Sequence, residues 1–299
     1  MAETDFNGKV VVITGASSGI GKGAALKFAS AGANVVLAAR RGELLEELAQ
    51  ECQASGGNAL AVTTDVSKEA DVINLTQKAV STFGRIDVWI NNAGSGTIGR
   101  FEEIPMAEHV QVIETDLLGT MYGSYQALNQ FRKQGGGNLI NVASVIGKIP
   151  APYFASYAAA KHGVVGLSGA LRQELNVNQV KAIFVCTVMP MSMDTPFFEH
   201  AAAHTGHKIE PIPPIYEPQQ VIDALFHVAQ HPKDETTVGG FDGPGSVLTH
   251  QLAPGLMEFM MGKLTHHIEM DDAPLAPETP GSVQQPVAAG TEVSGGWKS

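Results

Sequence analysis

Cysteine is nearly absent from this 299-residue chain, which holds only Cys52 and Cys186. Two cysteines cannot build a disulfide framework, and a reducing compartment is the simpler reading. Basic residues are also scarce: 19 Lys and Arg stand against 30 Asp and Glu, a net charge of −11. Such an acidic surface argues against a general nucleic-acid binder, which needs a basic footprint. It argues equally against polybasic docking on anionic lipid. No uncharged apolar run reaches the roughly 18 residues of a membrane span. The opening Met1-Ala2-Glu3-Thr4-Asp5 carries neither a basic stretch nor an apolar one, so no signal peptide is expected. The expectation is a soluble, cytoplasmic protein. Hydrophobic residues make up 44%, enough to bury a sizeable core.

Strand-like and helix-like runs alternate. Short β-rich runs fall at 9–14, 34–39, 59–63, 86–90, 138–142 and 181–185, with a weaker seventh at 236–238. They do not alternate cleanly between apolar and polar, as expected of strands buried on both faces. Helical spacing fills the gaps at 19–31, 43–55, 69–83, 107–132, 156–177 and 218–230. This order predicts an α/β fold, a doubly wound parallel sheet of about seven strands between two helical layers. Residues 1–246 form that domain, and 247–268 an apolar helical extension whose Met257, Phe259, Met260, Met261 and Leu264 need a partner surface. Residues 269–299 hold four Pro, four Gly and five acids. They bury too little apolar area to offset ordering, so disorder is expected, with Trp297 anchoring on a neighbouring subunit as the alternative.

The first strand runs into Thr14-Gly15-Ala16-Ser17-Ser18-Gly19-Ile20-Gly21, and a helix follows. A backbone that turns this tightly can approach a pyrophosphate, and the helix N-terminus supplies N–H groups and a positive dipole end. The chain here resembles the short-chain dehydrogenases/reductases. Asn91-Asn92-Ala93-Gly94 is similar to a second family motif, Tyr157-Ala158-Ala159-Ala160-Lys161 to its Tyr-x-x-x-Lys, and Ser144 precedes Tyr157 by the family's spacing. The likeness covers about residues 7–241.

The resemblance implies a nicotinamide dinucleotide on Gly15, Ser17, Ser18, Gly19, Ile20 and Gly21, with Asn92, Ala93 and Gly94 beside it. Asp65-Val66 resembles the family's adenine-contacting pair, although capping of the next helix by Asp65 or Ser67 is a competing reading. Pro190 and Thr195 match the segment that reaches the nicotinamide, with Met191 replacing a glycine. Ala39 stands where a carboxylate would bind a ribose hydroxyl, and Arg40 and Arg41 follow. Guanidinium suits a 2′-phosphate, so NADP(H) is preferred, with NAD(H) still admissible. Lys22 adds charge nearby.

Tyr157 and Lys161 are one helical turn apart, so they share a face. An adjacent ammonium favours the phenolate, and a tuned Tyr can exchange a proton with a carbonyl or alcohol oxygen. By resemblance, Lys161 also holds the nicotinamide ribose, and Ser144 binds the substrate oxygen. Asp116 replaces a family Asn that holds a water leading from the Lys to solvent, and an ionised Asp there raises the Lys161 pKa. Slower turnover or a shifted pH optimum is expected.

The candidate pocket wall is the stretches 95–101, 146–154 and 189–214, which supply Ile146, Ile149, Tyr153, Phe154, Met189, Met191, Met193, Phe197 and Phe198. Lys148, Lys208 and Arg100 are the only bases in those stretches. The pocket therefore suits a small hydrophobic carbonyl or secondary alcohol. His200, His204 and His207 lack metal-ligand spacing, so no metal is expected. His162 reads as structural, and Cys186 as a buried thiol. The family assembles through its long helices, implying a homodimer or homotetramer. The expected activity is NADP(H)-dependent hydride transfer. The alternatives are a non-catalytic NADP(H)-binding regulator, favoured by Asp116, and an epimerase or dehydratase on the same scaffold.

Overall fold

The computed structural model describes residues 6–239 and 254–298. Seven parallel strands form the sheet: β1 (Val10–Thr14), β2 (Asn34–Ala39), β3 (Asn58–Thr63), β4 (Val88–Asn91), β6 (Gly137–Val142), β7 (Ile183–Pro190) and β9 (Glu235–Val238). Their order is β3-β2-β1-β4-β6-β7-β9. Two three-residue strands, β5 (Thr97–Gly99) and β8 (Ala202–His204), pair separately. Helices α1 (Gly19–Ser30), α2 (Gly42–Ala54) and α8 (Pro218–Gln230) lie on one face, and a four-residue helix α7 (Phe197–His200) follows β7. The other face carries α3 (Glu69–Phe83), α4 (Met106–Ile113), α5 (Gly119–Gln134) and α6 (Ala155–Val177).

The unbroken apolar strands reflect burial on both faces. Val11, Ile13, Val35 and Leu37 pack with Phe28, Leu45 and Leu225. Their neighbours Val10, Val12, Val36 and Ala38 pack with Leu75, Ala79, Ala127 and Phe131. Chain order reverses between β1 and β4, and the crevice beyond their carboxyl ends is where such sheets hold ligands.

A buried polar network fixes the strands and helices under that crevice. Trp89 Nε1 donates to Asn91 Oδ1 at 2.7 Å, and Asn91 Nδ2 donates to Asn141 Oδ1 at 2.9 Å and Thr120 O at 3.2 Å. Asn141 Nδ2 donates to Ser168 Oγ at 3.0 Å. One network thus joins β4 and β6 to α5 and α6.

Three expectations change. The helix expected over 107–132 is two helices joined by a π turn, Glu114–Leu118, a widened turn that has no residue signature of its own. The extension expected from 248 is described from α9 (Pro254–His266), and its earlier residues lie outside the described ones. The expected disorder over 269–299 is corrected. A π turn spans His267–Asp272, Leu275 bridges to His207 and Thr279 to Ala203, and residues 282–298 hydrogen-bond across the body. Composition counts apolar area, whereas this segment is held by its backbone carbonyls. Its prolines also restrict the unfolded chain, which lowers the entropy cost of ordering. Trp297 is an anchor, on its own chain.

Two measurements follow. Asn91→Ala strands Trp89 Nε1 and takes the amide donor from Asn141 Oδ1, and chemical denaturation is expected to show a loss of about 2–4 kcal/mol. Glu269 is fully buried, and neither carboxyl oxygen has a hydrogen-bond partner. Burial pushes its carboxyl up from 4.5 to about 8, with Glu210 adding to the rise. The folded state favours the protonated form, so stability fully present below 4.5 is lost progressively as pH rises from there to about 8. Melting curves should show Glu269→Gln gaining on the wild type over that rise.

Candidate active site

The first strand ends in a turn that only glycine can make. Gly15 has φ +68°, and a Cβ there would lie 2.8 Å from Ala93 Cα. A Cβ on Gly21 would lie 2.2 Å from Gly15 O. Asn92 staples this turn to β4: its Nδ2 donates to Thr14 O at 3.0 Å, while its N–H and that of Ala93 donate to Thr14 Oγ1 at 3.0 and 3.1 Å. The result is a bare backbone cradle at the N-terminus of α1.

A cavity of about 720 Å³ opens on this cradle, within the ~300–1,000 Å³ usual for small-molecule sites. Gly15, Ser17, Ser18, Gly19 and Ile20 line one end, with Arg40, Arg41, Asp65 and Val66. Asn92, Ala93 and Gly94 form the floor, and Ser144, Tyr157, Lys161, Pro190 and Thr195 the inner end. Gly21 lies behind the turn and supports it. Sequence-predicted residues far apart in the chain therefore share one cavity, whose cradle and volume fit an extended dinucleotide.

The competing role is not seen: Asp65 Oδ1 accepts from Ser67 Oγ at 2.7 Å and Ser67 N at 3.1 Å in a turn ahead of α3, whose N-cap position is Lys68 with no side-chain cap hydrogen bond. Arg41 donates to Ser17 Oγ at 3.0 Å and Ser18 Oγ at 2.9 Å. Both guanidinia also meet carbonyls of the last segment: Arg40 those of Ser282, Val283 and Gln284, Arg41 those of Val287 and Ala289. Nothing in the sequence signalled those partners.

At the inner end α6 presents Tyr157 and Lys161, with the Lys161 ammonium 5.4 Å from the Tyr157 ring centroid. Ser144 caps a short 3₁₀ turn, Val145–Gly147, by accepting from Ile146 N at 3.2 Å. Its own hydroxyl donates to Pro190 O only at 3.4 Å, a long bond that a better acceptor can replace. Lys161 is 3% exposed and donates to Val142 O at 3.2 Å. Asp116, fully buried in the π turn, places Oδ2 3.1 Å from Lys161 Nζ and accepts from Ser95 N at 2.7 Å on Oδ1. Gly94 allows this approach, since a Cβ there would lie 3.0 Å from Asp116 Oδ2.

These charges set the proton affinities. Burial raises the Tyr157 phenol and Asp116 adds to it, against Lys161 and a Ser144 hydrogen bond, and the net shift is upward. Burial presses Lys161 down, but Asp116 and then Tyr157 carry it up overall. Asp116 is itself raised by burial, with Lys161 and the Ser95 N–H opposing. The ammonium is therefore shared between a phenol and a carboxylate.

The candidate pocket wall is in place except for Tyr153, which faces outward to His266 on α9. Met260, Met261 and Leu264 of α9 supply wall that the sequence left unassigned, and Ile212, Pro213 and Pro214 line it at the end of the expected 189–214 stretch. Among the bases, Lys148 reaches the cavity but pairs with Glu235 at 3.1 Å. Arg100 pairs with Glu103, and Lys208 with Glu210. Met191 occupies ordinary backbone space, and Gly239 at φ +115° makes room for its side chain. His204 bonds Glu108 at 2.8 Å, His207 bonds Thr205 O at 3.0 Å and His200 bonds Ala289 O at 3.0 Å. His162 bonds Ala158 O within its helix at 2.8 Å. Cys186 is buried, with its thiol pushed up to about 11, chiefly by burial.

Known proteins match this geometry. The family model for short chain dehydrogenase matches residues 9–205. The uncharacterized oxidoreductase YxnA of Bacillus subtilis (strain 168) is 35% identical over 271 residues, 90% of this chain and 76% of the relative. A match that long takes in α9. The 3beta-hydroxysteroid dehydrogenase 1 of Eggerthella lenta is 35% identical over 233 residues, 75% of this chain and 88% of the relative. A crystal structure of a short-chain type dehydrogenase/reductase from Mycobacterium marinum matches with TM-score 0.70 at 29% identity, covering 79% of this chain and 96% of that one.

Removing the Asp116 charge should lower the pH at which Tyr157 ionises, because that charge raises it. Phenolate absorbance, taken as the difference between each protein and its Tyr157→Phe counterpart, should show Asp116→Asn titrating below the wild type. Coincident curves would remove Asp116 from the tuning of Tyr157.

Proposed function

Because the chain belongs to the short-chain dehydrogenase/reductase family and is an oxidoreductase acting on CH–OH and C=O groups, we propose that it moves hydride between NADP(H) and a bulky hydrophobic ketone, aldehyde or secondary alcohol. The observation that carries this reading is the convergence of Ser144, Tyr157 and Lys161 on one apolar cavity that also opens on the glycine cradle. The nicotinamide, when bound, supplies or accepts the hydride. The Gly15–Gly21 turn would hold its pyrophosphate, Asp65 and Val66 its adenine side, and Lys161, Asn92, Ala93, Gly94, Pro190 and Thr195 its nicotinamide end.

Tyr157 Oη gives a proton to the carbonyl oxygen in reduction and takes one from the alcohol in oxidation. Ser144 Oγ donates a hydrogen bond to the same oxygen and stabilises charge developing there. Lys161 supplies positive charge beside the phenol. Asp116 moderates that charge and keeps Tyr157 protonated further up the pH scale, which favours the proton-donating, carbonyl-reducing role at neutral pH.

NADP(H) is supported by Arg40 and Arg41 at the cradle end and by the apolar Ala39 where a carboxylate would repel a 2′-phosphate. The substrate class is supported by a wall of Ile149, Phe154, Phe198, Met260, Met261 and Leu264, beside which Lys148 is paired with Glu235. Assembly into a homodimer or homotetramer is supported by Met106, Val110, Met121 and Tyr125, exposed along α4 and α5. No helix among the described residues is long and apolar enough to cross a membrane.

The test is NADPH oxidation against aliphatic, aromatic, quinone and steroid carbonyls. Tyr157→Phe should lose about 10²-fold or more in turnover while still binding NADPH. Replacing Arg40 and Arg41 with Ala should weaken NADPH binding far more than NADH binding. Turnover that survives Tyr157→Phe, or net conversion without cofactor oxidation, would overturn the mechanism.

A further inference from the structure

Residues 282–297 do not end on a random surface. One lip of the dinucleotide cleft is the glycine turn with Arg40 and Arg41, and the other is the 194–207 segment. The last segment fastens to both. Carbonyls of Ser282, Val283 and Gln284 sit on Arg40, and those of Val287 and Ala289 on Arg41. Ala289 O also meets His200 Nε2 across the cleft at 3.0 Å. Glu292 O accepts from Gly19 N at 2.8 Å, and its carboxylate lies 3.8 Å from Lys22. Asp194 then clasps the end, accepting from Ser294 Oγ at 2.8 Å, Gly295 N at 3.1 Å and Trp297 N at 2.9 Å. Trp297 Nε1 donates to Thr195 O at 3.0 Å, and its ring meets the edge of Phe198.

The cavity is still there beneath this segment, and Ser282, Pro286 and Val287 line it. Two glycines shape the crossing. Gly281 has φ +53° and a Cβ there would lie 2.4 Å from His200 O. Gly290 has φ +67° and a Cβ there would lie 2.4 Å from His200 Nε2. A solvated tail needs no such fit.

We propose that residues 282–297 are part of the cofactor site, a strap fastened across the dinucleotide cleft, so that a nicotinamide dinucleotide enters and leaves only when the strap lifts. This rests on the cofactor reading above. The cavity persists under the closed segment, so the strap roofs most of the site, while Glu292 O takes the Gly19 N–H of the cradle and must leave it when a pyrophosphate settles there. The strap's near-neutral face turns backbone carbonyls to the arginines, holding both guanidinia at the cradle end.

The test is the rate of dinucleotide release. Full-length wild type, Gly290→Val and Trp297→Ala are loaded with NADPH and chased with excess NADP⁺, following nicotinamide fluorescence by stopped flow; NADH is run in parallel. Gly290→Val pushes the strap off at mid-span, and Trp297→Ala removes the Nε1 bond to Thr195 O and the ring contact with Phe198 that hold its end. Each removes interactions of about one or two hydrogen bonds' strength, so release should quicken on the order of tenfold, with faster association. If Gly290→Val fails to fold, Trp297→Ala at the far end carries the test. Release at the wild-type rate in folded variants would overturn the strap while leaving the cofactor reading intact. Tighter binding with unchanged release would also overturn it and make the segment a competitor. Wild type that binds neither NADPH nor NADH would overturn the cofactor reading, and the strap with it.

Discussion

Lys161 is 3% exposed, and an ammonium taken out of water costs several kcal/mol unless other groups answer its charge. Much of the architecture around the site supplies that answer. Asp116 comes from a π turn, Val142 O from the end of β6, and the Tyr157 ring from the preceding turn of the same helix. Gly94 gives up its side chain so that the carboxylate can sit there. The Asn91–Asn141 network below ties the strands and helices that bring these groups together. A buried charge pair of this kind contributes little net stability, but removing either partner leaves the other uncompensated. Its value here is positional: the ammonium cannot drift from the phenol without losing its partners.

The parts legible in the sequence are those in which backbone geometry demands particular residue types at short spacing. The glycine turn needs Gly15 and Gly21 because a Cβ would meet Ala93 or Gly15 O. Tyr157 and Lys161 need one helical turn between them. The parallel sheet could be read because its strands are apolar on both faces. The π turn was hidden, since a single widened turn inside a continuous helical run demands no particular residue type. Strands β5 and β8 were missed because three residues such as Thr97–Gly99 carry too little pattern to reveal a partner about a hundred positions away. The last segment was misread for a different reason. Its attachments are backbone carbonyls meeting Arg40, Arg41 and Gly19 N, and carbonyls look the same in every sequence. Arg40 and Arg41 were noticed for their charge, but their second set of partners could not be.

The cavity joins two environments with different demands. Its cradle end is backbone and guanidinium, suited to phosphate. Its inner end is aliphatic, thioether and aromatic, with Lys148 neutralised by Glu235. The boundary between them falls at Ser144, Tyr157 and Lys161, where a polar oxygen on an apolar substrate would meet hydrogen-bond donors. Water excluded by the apolar end strengthens those electrostatic contacts.

The match to the family model stops at residue 205, whereas Ile212, Met260, Met261, Leu264, Pro286 and Val287 all wall the cavity. Part of the cavity wall is therefore written beyond the stretch that carries Ser144, Tyr157 and Lys161. The first 200 or so residues can stay under tight selection for proton and hydride transfer while the last stretch drifts, recombines or is exchanged. Unbranched methionines in that later stretch deform to fit a new shape more easily than branched side chains. Divergence in what such a protein recognises can then proceed without passing through inactive intermediates, because the residues that change are not those that react.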